Sequence, residues 1–240
     1  MKEVRYFFVP DAATANELPA EEAVHAVRVL RMKSGEEMFL LDGKGFFYRA
    51  VVTLTTAKCC QYQILEVLPQ QPLWDGHLHL AIAPTKDVGR MEWMAEKTTE
   101  IGMDELSFLS CQFSERKILK TERIEKIVVS AIKQSRKPWK PIVRPLIPFK
   151  DFVRQPRSSY KYICHCYEEI ERKDFYTEIC KLEKDADITV LVGPEGDFSM
   201  DEVRLAMEQG YESVTLGQAR LRTETAGLVA VMMTQLRVKN

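Results

Sequence analysis

No stretch of this sequence approaches the roughly 18 consecutive apolar residues of a membrane-spanning helix, and the opening MKEVRYFFVP meets an acid and then a proline where a secretory leader would carry its apolar core. Histidine is scarce, at four residues, and the six cysteines are not paired at zinc-site spacing. Cys59 and Cys60 are chain neighbours, too strained to bridge each other. Cys164, His165 and Cys166 form a CHC run, but in YKYICHCY strand alternation sends both thiols to one face, and no second ligand pair follows. The cysteines read as structural or incidental, free cysteine being commonly a small buried hydrophobe, and no metal is expected. Neither GxGxxG nor GxxxxGK[ST] occurs, which disfavours dinucleotide and nucleoside triphosphate sites. Neither sign of charge is in excess, with 34 Lys+Arg against 35 Asp+Glu, so any nucleic-acid contact must come from where the basic residues sit. Repeats and low-complexity segments are missing too. What is left is a soluble cytoplasmic protein of one or two domains in 240 residues.

The residues that are present follow two grammars. Up to about residue 70 the pattern is mostly strand: RYFFV, then two runs in EEMFLLDGKGFFYRAVVTL around the turn signal Asp42-Gly43, then CCQYQILEVL. One helix interrupts them, PAEEAVHAVRVLRM, with Ala23, Val27 and Leu30 on one face. The connector PQQPLW, with two prolines in four residues, marks a boundary between a domain of residues 1–70 and one of 73–240. Strands and helices then alternate: HLHLAIAP, the helix RMEWMAEKTTEIG closed by Gly102, LSFL, the helix TERIEKIVVSAIKQSRK, YKYICHC and ITVLVG. A helix opens at Ser199, where Ser199 and Glu202 make a capping-box pattern, and SVTLG and the apolar helix TETAGLVAVMMTQLRV follow. Such alternation predicts an α/β fold with a mainly parallel sheet covered by helices on both faces.

In an open parallel sheet, ligands collect beyond the carboxyl ends of the strands. Two loops at such positions are rich in glycine: LVGPEGDFSMDEV, where Gly193, Pro194, Glu195 and Gly196 separate a strand from a helix, and LGQARLRTETAG, residues 216–227. Either alone reads as a plain turn; glycine also lets a ligand approach the backbone.

Taken as a pair, VGPEGDFSMDEV and LGQARLRTETA resemble the knotted SPOUT class of S-adenosylmethionine-dependent RNA methyltransferases, and within it the ribosomal RNA small subunit methyltransferase E family. The likeness extends to HAVRVLRMKSGEEMFLLDGKG, KDVGRMEWMAEKTTEIG and RIEKIVVSAIKQSRKPWKP, nearly the whole chain. It implies a PUA-like RNA-binding β-barrel followed by a domain tied in a deep trefoil knot, methylation of N3 of a uridine in 16S ribosomal RNA, and a homodimer. It further implies a methyl donor, S-adenosylmethionine, held at or beside Leu191, Gly193, Gly196, Leu216, Gly217, Leu221 and Thr225. The sequence departs from the family pattern at Asp197, where a second glycine is usual, at Ala219-Arg220, which replace an arginine–isoleucine pair, and at Lys137, often an arginine.

Transfer to a uridine N3 leaves negative charge on the flanking carbonyl oxygens, which a fixed cation would steady. Arg222 is the residue expected there, with Glu195 or Glu224 accepting the proton. An ordinary ion pair at a helix start would use Arg222 and Glu224 equally well. Residues 126–150 hold seven basic residues and no acid, among them Lys133, Arg136, Lys137, Lys140 and Arg144 around Trp139, a composition that suits RNA phosphates and an unpaired base. Arg5, and His25, Arg28 and Arg31 at three-residue spacing, would add contacts from the first domain. Two other functions stay open: ribose 2′-hydroxyl methylation by the same class, which the GPEG and LRTETA pair argues against, and a non-catalytic RNA-binding or assembly protein.

Overall fold

The computed structural model describes residues 5–157 and 159–238; residues 1–4, part of the opening weighed against a leader, lie outside it. Two compact units emerge: Met1–Pro72 with Val129–Lys140, and Leu73–Val128 with Pro141–Asn240. The opening stretch of the first unit ends at Pro72, and a further segment, Val129–Lys140, groups with it.

The first unit is built on a four-stranded sheet in the order β1 (Tyr6–Phe8), β2 (Glu37–Leu41), β3 (Phe46–Thr55), β4 (Cys60–Pro69). β1 runs parallel to β2, and the β2–β3 and β3–β4 pairs are antiparallel. Asp42 makes the β2–β3 turn, its carboxylate accepting the amides of Lys44 (2.7 Å) and Phe46 (3.1 Å). An extended stretch at residues 16–18 pairs with the start of β4 through Tyr62 N–H to Asn16 O (2.9 Å) and Leu18 N–H to Cys60 O (3.0 Å). Alternate residues Phe7, Met38, Leu40, Tyr48, Ala50 and Val52 fill the core beneath. The helix read from PAEEAVHAVRVLRM exists but is not uniform. α1 (Ala20–Val24) passes into one π-helical turn, His25–Val29, in which Leu30 N–H reaches His25 O at 3.0 Å. This widened turn carries His25 and Arg28 to solvent, while Ala23, Val27 and Leu30 do meet the core.

The second unit is a seven-stranded, wholly parallel sheet in the order β7-β6-β5-β10-β8-β11-β9. These are β5 (Leu78–Ile82), β6 (Glu105–Ser110), β7 (Ile142–Pro148), β8 (Tyr160–Cys164), β9 (Lys173–Asp174), β10 (Ile188–Val192) and β11 (Glu212–Thr215). Central strands β5 and β10 are buried at every residue, as a sheet covered on both faces requires. One face packs on α2 (Val88–Ile101), α3 (Glu122–Ser135), α5 (Phe175–Ile179) and α7 (Thr223–Val238) through residues such as Leu80, Met94, Phe108, Ile124 and Ala230. The other packs on α4 (Phe149–Val153) and α6 (Met200–Glu208) through Ala81, Phe149, Ile163, Leu191 and Val203. β7, α4, β9 and α5 are not anticipated by the sequence patterns. β7 carries Pro145 and Pro148, which lack ladder donors, and it survives because it is an edge strand pairing only with β6. Among the described residues no helix is long and apolar enough to cross a membrane, and no three His, Cys, Asp or Glu are grouped to hold a metal.

Candidate functional site

Because the sheet is parallel, the loops after β5, β6, β8, β10 and β11 all emerge at one edge. The turn that follows β10, residues 193–199, stands in the middle of that row. Its chain reverses over Pro194 O, which accepts the Asp197 amide at 2.9 Å, and Asp197 itself has φ +66. Gly193 is buried against the next turn of chain: a Cβ there would come within 3.0 Å of the Phe198 amide nitrogen. Ser199 then caps α6, with both halves of the capping box formed with Glu202.

Three carboxylates tie this turn to its neighbours. Glu195 accepts the backbone amide of Lys86, in the loop after β5, at 3.0 Å. Glu202 keeps one oxygen for its capping box and with the other accepts the Gln112 amide, after β6, at 2.8 Å. Asp197 accepts the Cys166 amide, after β8, at 2.8 Å, and also the Phe198 amide at 2.8 Å. Hydrogen bonds to an ionised acceptor are the strong kind, so the turn is held rigid on three sides. Glu195, Asp197 and Glu202 thus serve as struts of the turn.

The second glycine loop, residues 216–222, follows β11, which β8 separates from β10 in the sheet. Gly217 lies at φ +120, with open space where a side chain would stand, and Thr215 Oγ1 donates to its carbonyl at 2.9 Å. Between the two loops lies the chain from His165 to Tyr167, which pattern reading of the CHC run set aside. Here His165 is buried against Ser213, its basicity lowered by burial, and Tyr167 donates its hydroxyl to Phe198 O at 2.7 Å. The only available signal was position: this segment too follows the carboxyl end of a parallel strand.

The expected site residues separate into groups. Arg222, Glu224 and Thr225 line a hollow of about 390 Å³ with Asp87, Gly89, Arg90 and Trp93 from the start of α2. Arg222 is exposed, whereas Glu224 is only 7% exposed. The Arg90 Nε lies 3.9 Å from Glu224 Oε1, and Glu224 Oε2 is buried with no hydrogen-bond partner among the described residues. Sequence reasoning missed the α2 contribution, although the Asp87 side chain accepting the Gly89 amide (2.9 Å) is an ordinary helix cap just beyond a strand end. The Leu191 side chain is wholly buried in the core, so only its backbone can face a ligand. Leu216 and Leu221 are half-buried, and Gly196 and Gly217 are exposed.

In the first unit, Arg136 is exposed and lies over the Tyr6 ring at 5.2 Å. Trp139 covers Gly45, and Lys140 N–H donates to Gly43 O at 3.0 Å, so the Lys137–Lys140 stretch is built onto the β2–β3 turn. Lys133 turns inward to Glu22 at 2.5 Å, Arg5 pairs with Glu36 at 3.7 Å, and Arg28 reaches Ala57 O at 3.4 Å. Arg31 is exposed at φ +53. Arg144 belongs to the second unit, where it pairs with Glu105 at 2.8 Å.

Residues 72–235 match the family model described as an RNA methyltransferase domain, and residues 18–61 match an RNA methyltransferase PUA domain. A ribosomal RNA small subunit methyltransferase E from Aquifex aeolicus is 31% identical over 223 residues, spanning 89% of this chain and 92% of the relative. The chain belongs to the ribosomal RNA small subunit methyltransferase E family. Among solved structures of similar fold, a probable rRNA methyltransferase from Porphyromonas gingivalis is 39% identical, with a TM-score of 0.89 over 97% of this chain and 99% of that one. A methyltransferase E from Neisseria gonorrhoeae bound to S-adenosylmethionine is 26% identical, with a TM-score of 0.82 over 98% of each chain. Within this family frame, the departure at Asp197 has a local explanation. The position needs a left-handed backbone, which glycine takes freely and aspartate tolerates better than most residues. Here the aspartate adds the tie to Cys166 that a glycine could not make.

Proposed function

We propose that the chain is an S-adenosylmethionine-dependent methyltransferase acting on N3 of a uridine in 16S ribosomal RNA of the small subunit. The observation that carries this reading is the strutted turn: a backbone surface with exposed Gly196, fixed by three carboxylates, at the edge where parallel sheets bind ligands. Backbone at Leu191, Gly193 and Gly196 on one loop, and Leu216, Gly217, Leu221 and Thr225 on the other, would hold the donor. The fit is supported by the open space at Gly217, where ligand can approach main chain directly. When bound, S-adenosylmethionine supplies an electrophilic methyl group on a sulfonium centre.

The chain's own residues handle proton and charge. Of the two candidate bases we favour Glu224, because Glu195 is exposed and one of its oxygens already accepts the Lys86 amide. A buried carboxylate oxygen without a donor, as at Glu224, costs about 1–3 kcal/mol, a cost that working sites tolerate. Arg222, in the same hollow, would steady the charge that spreads over the uridine oxygens.

The reading extends to a PUA-like RNA-binding domain of residues 1–70, a trefoil knot within 73–240 and a cytoplasmic location. Phosphate contacts would come from His25, Arg28, Arg31, Arg136, Lys137 and Lys140, with Arg5 at their margin. It also includes a homodimer, supported by the apolar side chains of Trp93, Met232 and Leu236, which are 44%, 43% and 40% exposed on the packed helices α2 and α7. Light scattering should then report about twice the 27.7 kDa chain mass, and a strict monomer would refute the dimer.

Calorimetric titration with S-adenosylmethionine, followed by single-turnover methylation of unmodified small subunits, tests the core of the proposal. Glu224→Gln should slow methyl transfer by roughly 10²–10⁴ while changing donor affinity little, and Glu195→Gln should do much less. Absence of donor binding by the parent protein would overturn the enzyme reading. A Glu224→Gln variant at the parent rate would remove that residue from the chemistry.

A further inference from the structure

After β6 the chain makes a tight loop, residues 111–118, whose side chains have no part in the chemistry above. Its backbone is fixed from several directions. Cys111 N–H donates to Ser114 Oγ at 3.0 Å, and Ser114 N–H returns to Cys111 O at 3.2 Å. The Gln112 amide is the one held by Glu202. Lys117 Nζ donates to Cys111 O at 2.9 Å, and Arg116 Nε to Thr85 O at 3.2 Å.

From this rigid frame two apolar side chains face water: Phe113, 47% exposed, and Ile118, 78% exposed. Phe113 stands directly beside the glycine turn, its Cβ 3.2 Å from where a Cβ on Gly196 would be. The same loop, with Lys86, bounds a hollow of about 350 Å³ lined by Lys86, Glu115, Arg116, Lys117 and Ile118, three cations against one carboxylate. Lys86 is 78% exposed along its side chain, and its contact with Glu115, at 3.0 Å, is a surface pair that a phosphate can displace at little cost.

A flat exposed ring on the same short loop as a net positive hollow matches a ligand with an aromatic plane and an anion a few bonds away. An unpaired nucleotide has both; an acidic peptide would meet the cations and leave the ring uncovered. We propose that the 111–118 loop is a nucleotide subsite for the RNA substrate, with Phe113 stacking on an unpaired base and Lys86, Arg116 and Lys117 surrounding its phosphate. The rigid attachment of this loop to the glycine turn, through Glu202, would fix that nucleotide relative to the turn. The proposal rests on the reading of the chain as a protein that takes RNA as its partner.

The test measures binding of a short fluorescein-labelled single-stranded RNA by anisotropy, with a parallel calorimetric titration of S-adenosylmethionine. Phe113→Ala should weaken RNA binding roughly ten- to hundredfold, and Phe113→Trp should largely preserve it, with donor affinity unchanged in both. Lys86→Gln should lower the slope of log affinity against log salt by about 0.7. Equal RNA affinity for Phe113→Ala and the parent overturns the subsite, as do equal losses for the alanine and tryptophan variants. Loss of donor binding alone would assign the ring to the donor and also overturn it. If the parent binds RNA with the expected dependence on Phe113 but binds no donor, the donor reading fails and the subsite stands.

Discussion

Asp197 occupies a backbone conformation, φ +66, that costs most residues with a side chain on the order of 1 kcal/mol, yet it earns two amide hydrogen bonds at 2.8 Å that glycine could not make. The balance can be measured. Asp197→Ala keeps the strained backbone and loses both bonds, so it should destabilise by about 2–3 kcal/mol in urea unfolding. Asp197→Gly loses the bonds but relieves the strain, and should fall between parent and alanine variant. A glycine variant less stable than the alanine variant would refute this account. The sequence identified this position as a departure from the family pattern, and only the fold supplied the reason. The Cys166 amide is 31 residues away, so nothing local to the GPEGD run could announce it.

At the scale of elements, the basic run of residues 126–150 looked like one patch and is divided. The C-terminal half of α3 points Lys133 at Glu22 of α1, 111 residues away, in a pair whose side chains are 23% and 11% exposed. Removing one partner leaves a largely buried carboxylate uncompensated. Lys133→Ala should therefore cost about 2–4 kcal/mol, somewhat below a fully enclosed pair, with little effect on the salt dependence of RNA binding. The paired change Glu22→Leu with Lys133→Met should recover most of that stability in thermal melts. A Lys133→Ala protein as stable as the parent, with a flatter salt dependence, would return Lys133 to the RNA-contacting set. Most elements were legible beforehand because their signals are local: the Ser199–Glu202 capping box, the Gly102 end of α2 and the Asp42-Gly43 turn all formed as read. The π-helical turn at His25–Val29 and the edge strand β7 were not, because each depends on what lies beside it.

For the molecule as a whole, the edge of the parallel sheet opposite the glycine loops holds a buried polar group with consequences for stability. His79, 2% exposed, makes a 2.8 Å hydrogen bond with Ser107 Oγ, and Arg157 NH1 lies 3.2 Å from its other ring nitrogen. Burial pushes its pKa down to about 3, against the opposing pull of Glu105, and burial lowers His165 in the same direction. An unfolded chain binds a proton at this residue near pH 6.5, while the folded one does not until about pH 3. The contribution to stability is thus complete above about pH 6.5 and is lost as pH falls towards about 3, at no more than about 1.4 kcal/mol per pH unit for this one group. Urea midpoints should decline across that window, and His79→Gln should flatten the decline even if it lowers stability at neutral pH. An unchanged acid slope in that variant would show that other groups carry it.

The sequence by itself determined most of the longer elements and their order, the parallel α/β class and the two glycine loops, since hydrophobic period, caps and turn residues act within a few positions of the chain. Through its paired motifs it also determined the family. The tertiary structure decided which loops meet. Strand order placed β8 between β10 and β11 and so inserted residues 165–167 between the glycine loops. It also assigned Glu195, Glu202 and Asp197 to amides 109, 90 and 31 residues distant. Those partners follow from strand pairing, a cooperative choice among many long-range contacts, and a carboxylate that holds a turn carries the same local signature as one that accepts a proton.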